Sequence, residues 1–224
     1  MCGRFTLTAE TNIIQENFPW VNVPENLQPR FNIAPTQPVA VVPNDGKNRL
    51  DYFVWGLIPS WAKDPNIGSR MINARAETLA EKPSFRTAYR RRRCLILADG
   101  FYEWKQDKHA GRKIPMYIKL ESGKPFAFAG LWENWNSADG SQILSCTIIT
   151  TKPNSMMEAI HNRMPVILPE EAYTKWLEPG EQQPENLSGL LTPYPSEEMV
   201  AYPVSTLVNS PQNESPECIV PLNA

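Results

Sequence analysis

The sequence predicts an α+β fold: a single compact domain with a mainly antiparallel β-sheet core and short flanking helices. Three observations lead there. Six short runs rich in β-branched and aromatic residues outnumber the helical segments and do not alternate with them regularly. No stretch is long or biased enough to serve as a linker, so all 224 residues are expected in one unit. Seven Trp, seven Tyr and eight Phe supply the bulk of a core and argue against a disordered chain.

In chain order, residues 8–18 read as a helix, with Thr8 placed to cap it and Ile13, Ile14 and Phe18 on one side. Pro19, Pro24, Pro29, Pro35 and Pro38 make residues 19–38 an extended, irregular connection. Strands are predicted at Val39–Val42, Tyr52–Ile58, Cys94–Ala98, Pro115–Leu120, Phe126–Leu131 and Ile143–Thr150. Turn signals separate them, among them Asn44-Asp45-Gly46, Glu121-Ser122-Gly123-Lys124 and Asp139-Gly140. Helices are predicted over 75–90, interrupted by Pro83, over 153–161 and over 169–177, where Pro169 and two Glu suit a helix start. Residues 178–224 hold eight of the 22 Pro, and ordered structure is expected there only near Val200–Val204 and Cys218–Val220.

Composition narrows the function classes. No apolar run approaches the ~20 residues that span a bilayer, and Met1-Cys2-Gly3-Arg4 lacks the basic and apolar regions of a signal peptide. A cytoplasmic monomer without a membrane partner is expected. Four scattered Cys with no C-x-x-C pair and only two His argue against a disulfide framework and a zinc site, so neither metal nor cofactor is expected. Charge is unevenly divided. Residues 169–224 carry nine Glu and one basic side chain, Lys175, which leaves 21 basic against 15 acidic side chains in 1–168. Arg86 and the run Arg90–Arg93 concentrate the basic charge. Four adjacent Arg cannot all be buried, and the run reads equally as a solvated face or as a phosphate-binding surface.

Cys2 is the most informative residue. Once Met1 is removed, its α-amine and thiol form two adjacent nucleophiles. With a terminal-amine pKa of ~7.7–8.0, roughly a tenth of such amines are unprotonated at neutral pH. That suits attack on an aldehyde to form an imine. The thiol can then close on the imine carbon to give a thiazolidine, an intramolecular step. The plain alternative is an incidental Cys near a frayed terminus. Asn73, in Met71-Ile72-Asn73-Ala74-Arg75-Ala76-Glu77-Thr78, reads either as a helix cap with an Arg–Glu surface pair or as an amide beside a guanidinium, able to hold a sugar hydroxyl and a phosphate. Glu103 lies between Tyr102 and Trp104, straight after a predicted strand. It is either an exposed loop residue or a carboxyl desolvated into the range of proton transfer. His161, in Ile160-His161-Asn162-Arg163-Met164-Pro165, titrates near neutrality and can serve as acid, base or phosphate donor, while His109 reads as solvated. Trp61 and Trp104 could offer stacking faces to bases, whereas Trp55 is expected in the core.

Taken together, six motifs resemble the SRAP family, the SOS-response-associated peptidase-like or abasic-site processing proteins. They are Cys2-Gly3-Arg4-Phe5, Arg30-Phe31-Asn32-Ile33-Ala34-Pro35, Trp55-Gly56-Leu57-Ile58-Pro59-x-Trp61, Asn73-Ala74-Arg75-x-Glu77-Thr78, Asp99-Gly100-Phe101-Tyr102-Glu103-Trp104 and His161-x-Arg163-Met164-Pro165. They run in the family's order through residues 1–168, and the acidic, Pro-rich part 169–224 matches more loosely. The resemblance implies capture of an abasic site in single-stranded DNA through a covalent link to Cys2. It implies that Asn73 holds the opened sugar, that Glu103 moves protons and that His161 assists ring opening or a lyase step. It further implies that Arg4, Arg75 and Arg163 bind phosphates, with Asn32, Trp61 and Thr150 lining the strand. One departure is Ala62-Lys63-Asp64-Pro65 after Trp61, where family members often place a second Trp. Two other readings compete. An N-terminal-nucleophile hydrolase would use the Cys2 thiol on an amide, with the amine as base. A non-enzymatic nucleic-acid binding module would not need Cys2 at all.

Overall fold

The computed structural model describes residues 2–107, 111–137 and 139–222, so Met1 and His109 lie outside the described residues. Strands are β1 (Phe5–Leu7), β2 (Arg30–Ile33), β3 (Pro38–Pro43), β4 (Asp51–Trp55), β5 (Asn73–Arg75), β6 (Arg93–Ala98) and β7 (Gly100–Asp107). They continue with β8 (Arg112–Leu120), β9 (Phe126–Asn136), β10 (Gln142–Thr151), β11 (Met164–Pro165), β12 (Ile167–Leu168) and β13 (Met199–Pro203). The α-helices are short: α1 (Thr11–Asn17), α2 (Arg86–Arg91), α3 (Ser155–Glu158), α4 (Tyr173–Trp176) and α5 (Pro184–Ser188).

Two sheets result. One is wholly antiparallel, in the order β13-β8-β7-β1-β2. In the other, β10, β4, β3, β6 and β9 pair in turn and β9 pairs back to β10, so five strands close into a barrel. Closure leaves these strands no edge in the ring. Among the described residues the parallel strand pairs are those of β10 with β4 and β5. The mainly antiparallel α+β expectation therefore holds. Phe5 of the first sheet meets Trp55 and Phe128 of the barrel edge-on, at centroid distances of 5.1 and 5.7 Å, so the core lies where the sheets face each other.

All six expected strands form. β1, β2, β5, β7, β11 and β12 lie outside those runs, and each has a physical reason. β1, β2, β5, β11 and β12 are two to four residues long, too short for alternation to register. β7 alternates poorly because Phe101, Tyr102 and Glu103 are all buried.

Helices are shorter than expected. α1 begins at Thr11 rather than Thr8, because the Asp99 carboxylate takes the backbone N–H groups of Thr8 and Ala9 together with the Thr8 hydroxyl. The predicted helix over 75–90 is corrected to strand β5, a 3₁₀ turn at Ala76–Thr78 and α2 alone. Pairing of Arg75 with Thr150, at the end of β5, outweighs helix propensity at the start of that segment. The segment 169–177 is a 3₁₀ turn followed by α4, and 153–161 keeps only α3, capped by Asn154 through Met157 N at 2.9 Å.

The C-terminal part is also corrected, since it is built into the domain rather than ordered only in places. Glu214 accepts from the backbone N–H of Phe31 and Asn32 and pairs with Arg30 at 3.1 Å. The Arg90–Arg93 run is largely occupied within the chain. Arg93 is wholly buried and donates to the carbonyls of Tyr89, Arg90, Trp176, Glu178 and Gly180. Arg92 pairs with Glu133 at 2.7 Å, and Arg91 with Glu181 at 2.6 Å. The acidic tail thus folds back on the basic part.

Because Arg93 serves several buried acceptors, Arg93→Met is expected to cost at least about 3 kcal/mol, given ~1.5–3 kcal/mol for each hydrogen bond to a charged group. Urea denaturation of the variant measures that loss.

Buried phenols set an alkaline limit. Burial holds Tyr102 and Tyr117 well above the usual tyrosine range and pushes Tyr89 up to about 12. Unfolded tyrosines ionise near ~10. Their contribution to stability is therefore complete below that pH and is lost as pH rises towards the folded-state values. The urea midpoint is expected to decline above pH ~10, and a flat midpoint there would contradict the assignment.

Candidate active site

The site grows out of the strand β1. Its start is fixed from behind by Asp99, which also accepts from the Thr6 hydroxyl, and by Tyr117 Oη, 2.9 Å from the same hydroxyl. Gly100 is needed at this point, since a Cβ there would meet the Tyr117 hydroxyl at 2.2 Å. Immediately before β1, Cys2 is wholly buried, and its Sγ lies 3.9 Å from the Arg4 carbonyl. Asn73, opening β5, donates from Nδ2 to the Cys2 carbonyl at 2.7 Å. Its Oδ1 is buried and accepts no hydrogen bond among the described residues. An orphaned buried acceptor costs about 1–3 kcal/mol, so this atom marks a place where a hydroxyl donor would be favourable.

Glu103 is in β7, only 3% exposed, which corrects the exposed-loop alternative. Tyr102 N donates to Arg4 O at 3.0 Å, and Phe5 pairs with Phe101. The same register carried back sets Glu103 beside Gly3, next to Cys2. Burial first, and then the Glu103 charge, push the Cys2 thiol well above the usual range. The thiol is therefore protonated at neutral pH, and a partner must take its proton when sulfur attacks.

Beyond Asn73, β5 runs parallel to β10 with Arg75 opposite Thr150. Arg75 is exposed. Thr150 is wholly buried, and its carbonyl accepts from Arg163 Nη2 at 2.6 Å. Arg163 also makes a bidentate pair with Glu77, at 2.7 and 2.9 Å. Glu77 thus pairs with Arg163 and not, as a local surface pair would have it, with Arg75. The Arg163 guanidinium holds the Glu77 carboxyl below the usual carboxylate range. His161 follows α3, and its Nδ1 lies 3.1 Å from the backbone N and 3.2 Å from the carbonyl oxygen of Arg163. Cys2, Asn73, Glu103, Arg75, Thr150 and Arg163 are thereby linked through β1, β7, β5 and β10, and His161 joins them through Arg163.

Arg4 and Asn32 face another way. Arg4 Nη1 donates to Asn32 Oδ1 and to Val208 O, both at 2.7 Å, and its guanidinium lies 5.9 Å from the Trp104 ring centre. Asn32, wholly buried, donates to the carbonyls of Val208, Ser210 and Asn213. Trp104 donates to Asn209 Oδ1 at 2.8 Å. These three side chains tie the N-terminal segment to the loop 208–213. Trp55 is wholly buried, as expected, while Trp61 is 59% exposed. The loop carrying Trp61 is held where Gly56, at φ +139°, approaches Gly68 so closely that a Cβ would meet the Gly68 carbonyl at 2.6 Å. Trp135 Nε1 then donates to Ala62 O at 2.7 Å.

Sequence reasoning gave Asp99 no role and Glu77 only a local surface pair. Their partners lie 86 and at least 90 residues away, and no local spacing signals such pairs. Among the described residues no group of three or more His, Cys, Asp or Glu could hold a metal ion, and no helix is long and apolar enough to cross a membrane.

A buried cysteine at the second position, its carbonyl held by an amide, thus lies beside a buried carboxylate and near an arginine–glutamate pair, on a closed barrel flanked by an antiparallel sheet. The model of the SOS response associated peptidase (SRAP) family matches residues 1–211, and the chain belongs to that family. It is 54% identical to the abasic site processing protein YoqW of Bacillus subtilis (strain 168), over 98% of this chain and 99% of that protein. It is 30% identical to the abasic site processing protein HMCES of Rattus norvegicus, over 88% of this chain and 66% of that one. An X-ray structure of a Bacteroides thetaiotaomicron protein superposes with a TM-score of 0.88 at 27% identity, covering 99% of this chain and all of that one.

Proposed function

We propose that this chain processes abasic sites in single-stranded DNA by capturing the opened sugar on Cys2. The observation that carries the reading is the clamp of Asn73 on the Cys2 carbonyl, with the orphaned Asn73 Oδ1 beside it. Once Met1 is removed, the Cys2 amine attacks the sugar aldehyde and water leaves, giving an imine. The thiol then adds across the C=N bond: sulfur bonds to carbon and its proton passes to nitrogen. Because the thiol starts protonated, Glu103 has a task in this step as proton carrier. Asn73 Oδ1 would accept from a sugar hydroxyl, and the His161 imidazole would assist opening of the sugar ring.

Arg75, exposed at the mouth of β5, would meet a backbone phosphate, and Arg163 would share its guanidinium between Glu77 and a phosphate. Trp61 would stack on a base. Thr150 positions Arg163, while Arg4 and Asn32 act through the 208–213 loop they hold. Burial of Cys2 favours a lesion already unpaired and unstacked, which suits a single strand.

The test is a denaturing gel with a single-stranded oligonucleotide carrying one abasic site. Wild type is expected to give a stable shifted adduct and Cys2→Ala none. A binding module without chemistry would shift equally little in both, and a hydrolase of the amide type would instead turn over glutamine.

A further inference from the structure

A second basic feature lies outside the site around Cys2. Ala80, Arg86, Thr87, Arg90, Arg91 and Glu181 line a cavity of about 390 Å³. Residues 86, 87, 90 and 91 share one face of α2, because positions three and four apart on a helix are neighbours. The opposite face is fixed: Ala88 and Tyr89 are buried, and Arg92 and Arg93 are anchored to Glu133 and to backbone carbonyls. The far wall is fixed as well, since Arg93 grips the carbonyls of Glu178 and Gly180, and Gln182 N donates to Arg90 O at 2.9 Å.

Three guanidiniums thus face one carboxylate. Glu181 pairs closely with Arg91 at 2.6 Å and only distantly with Arg90 at 3.8 Å, and Arg86 makes no ion pair among the described residues. The cavity carries an uncompensated charge of about two on solvent-exposed side chains whose backbone is anchored, with Arg86 and Arg90 repelling each other along the helix. A phosphate monoester carries a charge of about −1.5 to −2 at neutral pH and several strong acceptor oxygens. Guanidinium forks match those oxygens, and Thr87 offers a hydroxyl in the same wall.

We propose that this cavity binds a terminal phosphate, as a phosphomonoester, either at the 5′ end of a nucleic-acid strand or on a nucleotide. The proposal stands apart from the reading of Cys2, because none of its residues belongs to that site.

Isothermal titration at low ionic strength tests it with adenosine 5′-monophosphate, adenosine, and undamaged oligonucleotides carrying a 5′-phosphate or a 5′-hydroxyl. The monophosphate is expected to bind and adenosine not. Arg86→Gln and Arg90→Gln should each weaken binding about tenfold, the loss of one charge-assisted contact. Glu181→Gln, which removes the competing carboxylate, should tighten it. A merely structural role for α2 would not give opposite signs for these changes. A larger gain for the phosphorylated oligonucleotide than for the mononucleotide assigns the pocket to a strand end, and equal binding assigns it to nucleotides. Monophosphate binding that is absent, or unchanged in Arg86→Gln, would overturn the proposal. Arg86, exposed and without an ion pair among the described residues, can be replaced with little risk to the fold, and neither outcome depends on whether Cys2 captures an abasic site.

Discussion

Asn73→Ala is expected to slow adduct formation by about a hundredfold while leaving the protein folded, because misplacing a reacting group by ~1 Å can cost that much. Asn73 donates a side-chain hydrogen bond to the Cys2 carbonyl and carries the orphaned acceptor beside it. Removing the side chain releases the terminal residue and deletes the sugar's proposed partner together. Asn73→Asp separates the two effects. It keeps an acceptor and loses the donor to the carbonyl, so a rate close to that of Ala would show that the clamp on Cys2 dominates. Single-turnover kinetics on an abasic oligonucleotide supply both numbers, and a rate within twofold of wild type for Ala would remove Asn73 from the site.

Glu103→Gln is expected to have two effects of opposite sign. Loss of the proton carrier should slow crosslinking by about 10²–10⁴-fold, the range of general acid–base catalysis. The same change removes a negative charge that helps keep the Cys2 thiol protonated. The thiol pKa should therefore fall, and its alkylation by iodoacetamide at a fixed pH should speed up. A carboxylate that served only to hold the fold would not give slower crosslinking together with a more acidic thiol. The wild-type rate should also rise with pH over the range where the terminal amine loses its proton, near ~7.7–8.0.

Much of the fold is legible in the residues. Runs such as Phe126–Leu131 and Ile143–Thr150 are mostly apolar or β-branched and longer than turns allow, and they became the central strands β9 and β10. What escaped depends on distance in the chain. β5 is three residues long and exists because β10 lies beside it. Asp99 shortens α1 from 90 residues away. The acidic tail looks poorly structured by composition, yet Glu181 and Glu214 find arginines and backbone donors far back in the chain.

The site divides in the same manner. Cys2 and Glu103 announce themselves by chemistry and by neighbours in sequence. The Glu77–Arg163 pair and the coupling of Arg4 and Asn32 to the 208–213 loop are three-dimensional facts that no spacing encodes.

The most direct measurement is peptide mass spectrometry of the protein after Met1 removal and incubation with an abasic oligonucleotide, followed by nuclease and protease digestion. A peptide beginning at Cys2 is expected to gain the sugar fragment less one water, with both its amine and its thiol blocked to further labelling. An unmodified Cys2 peptide, or sugar mass found on a lysine instead, would contradict the account.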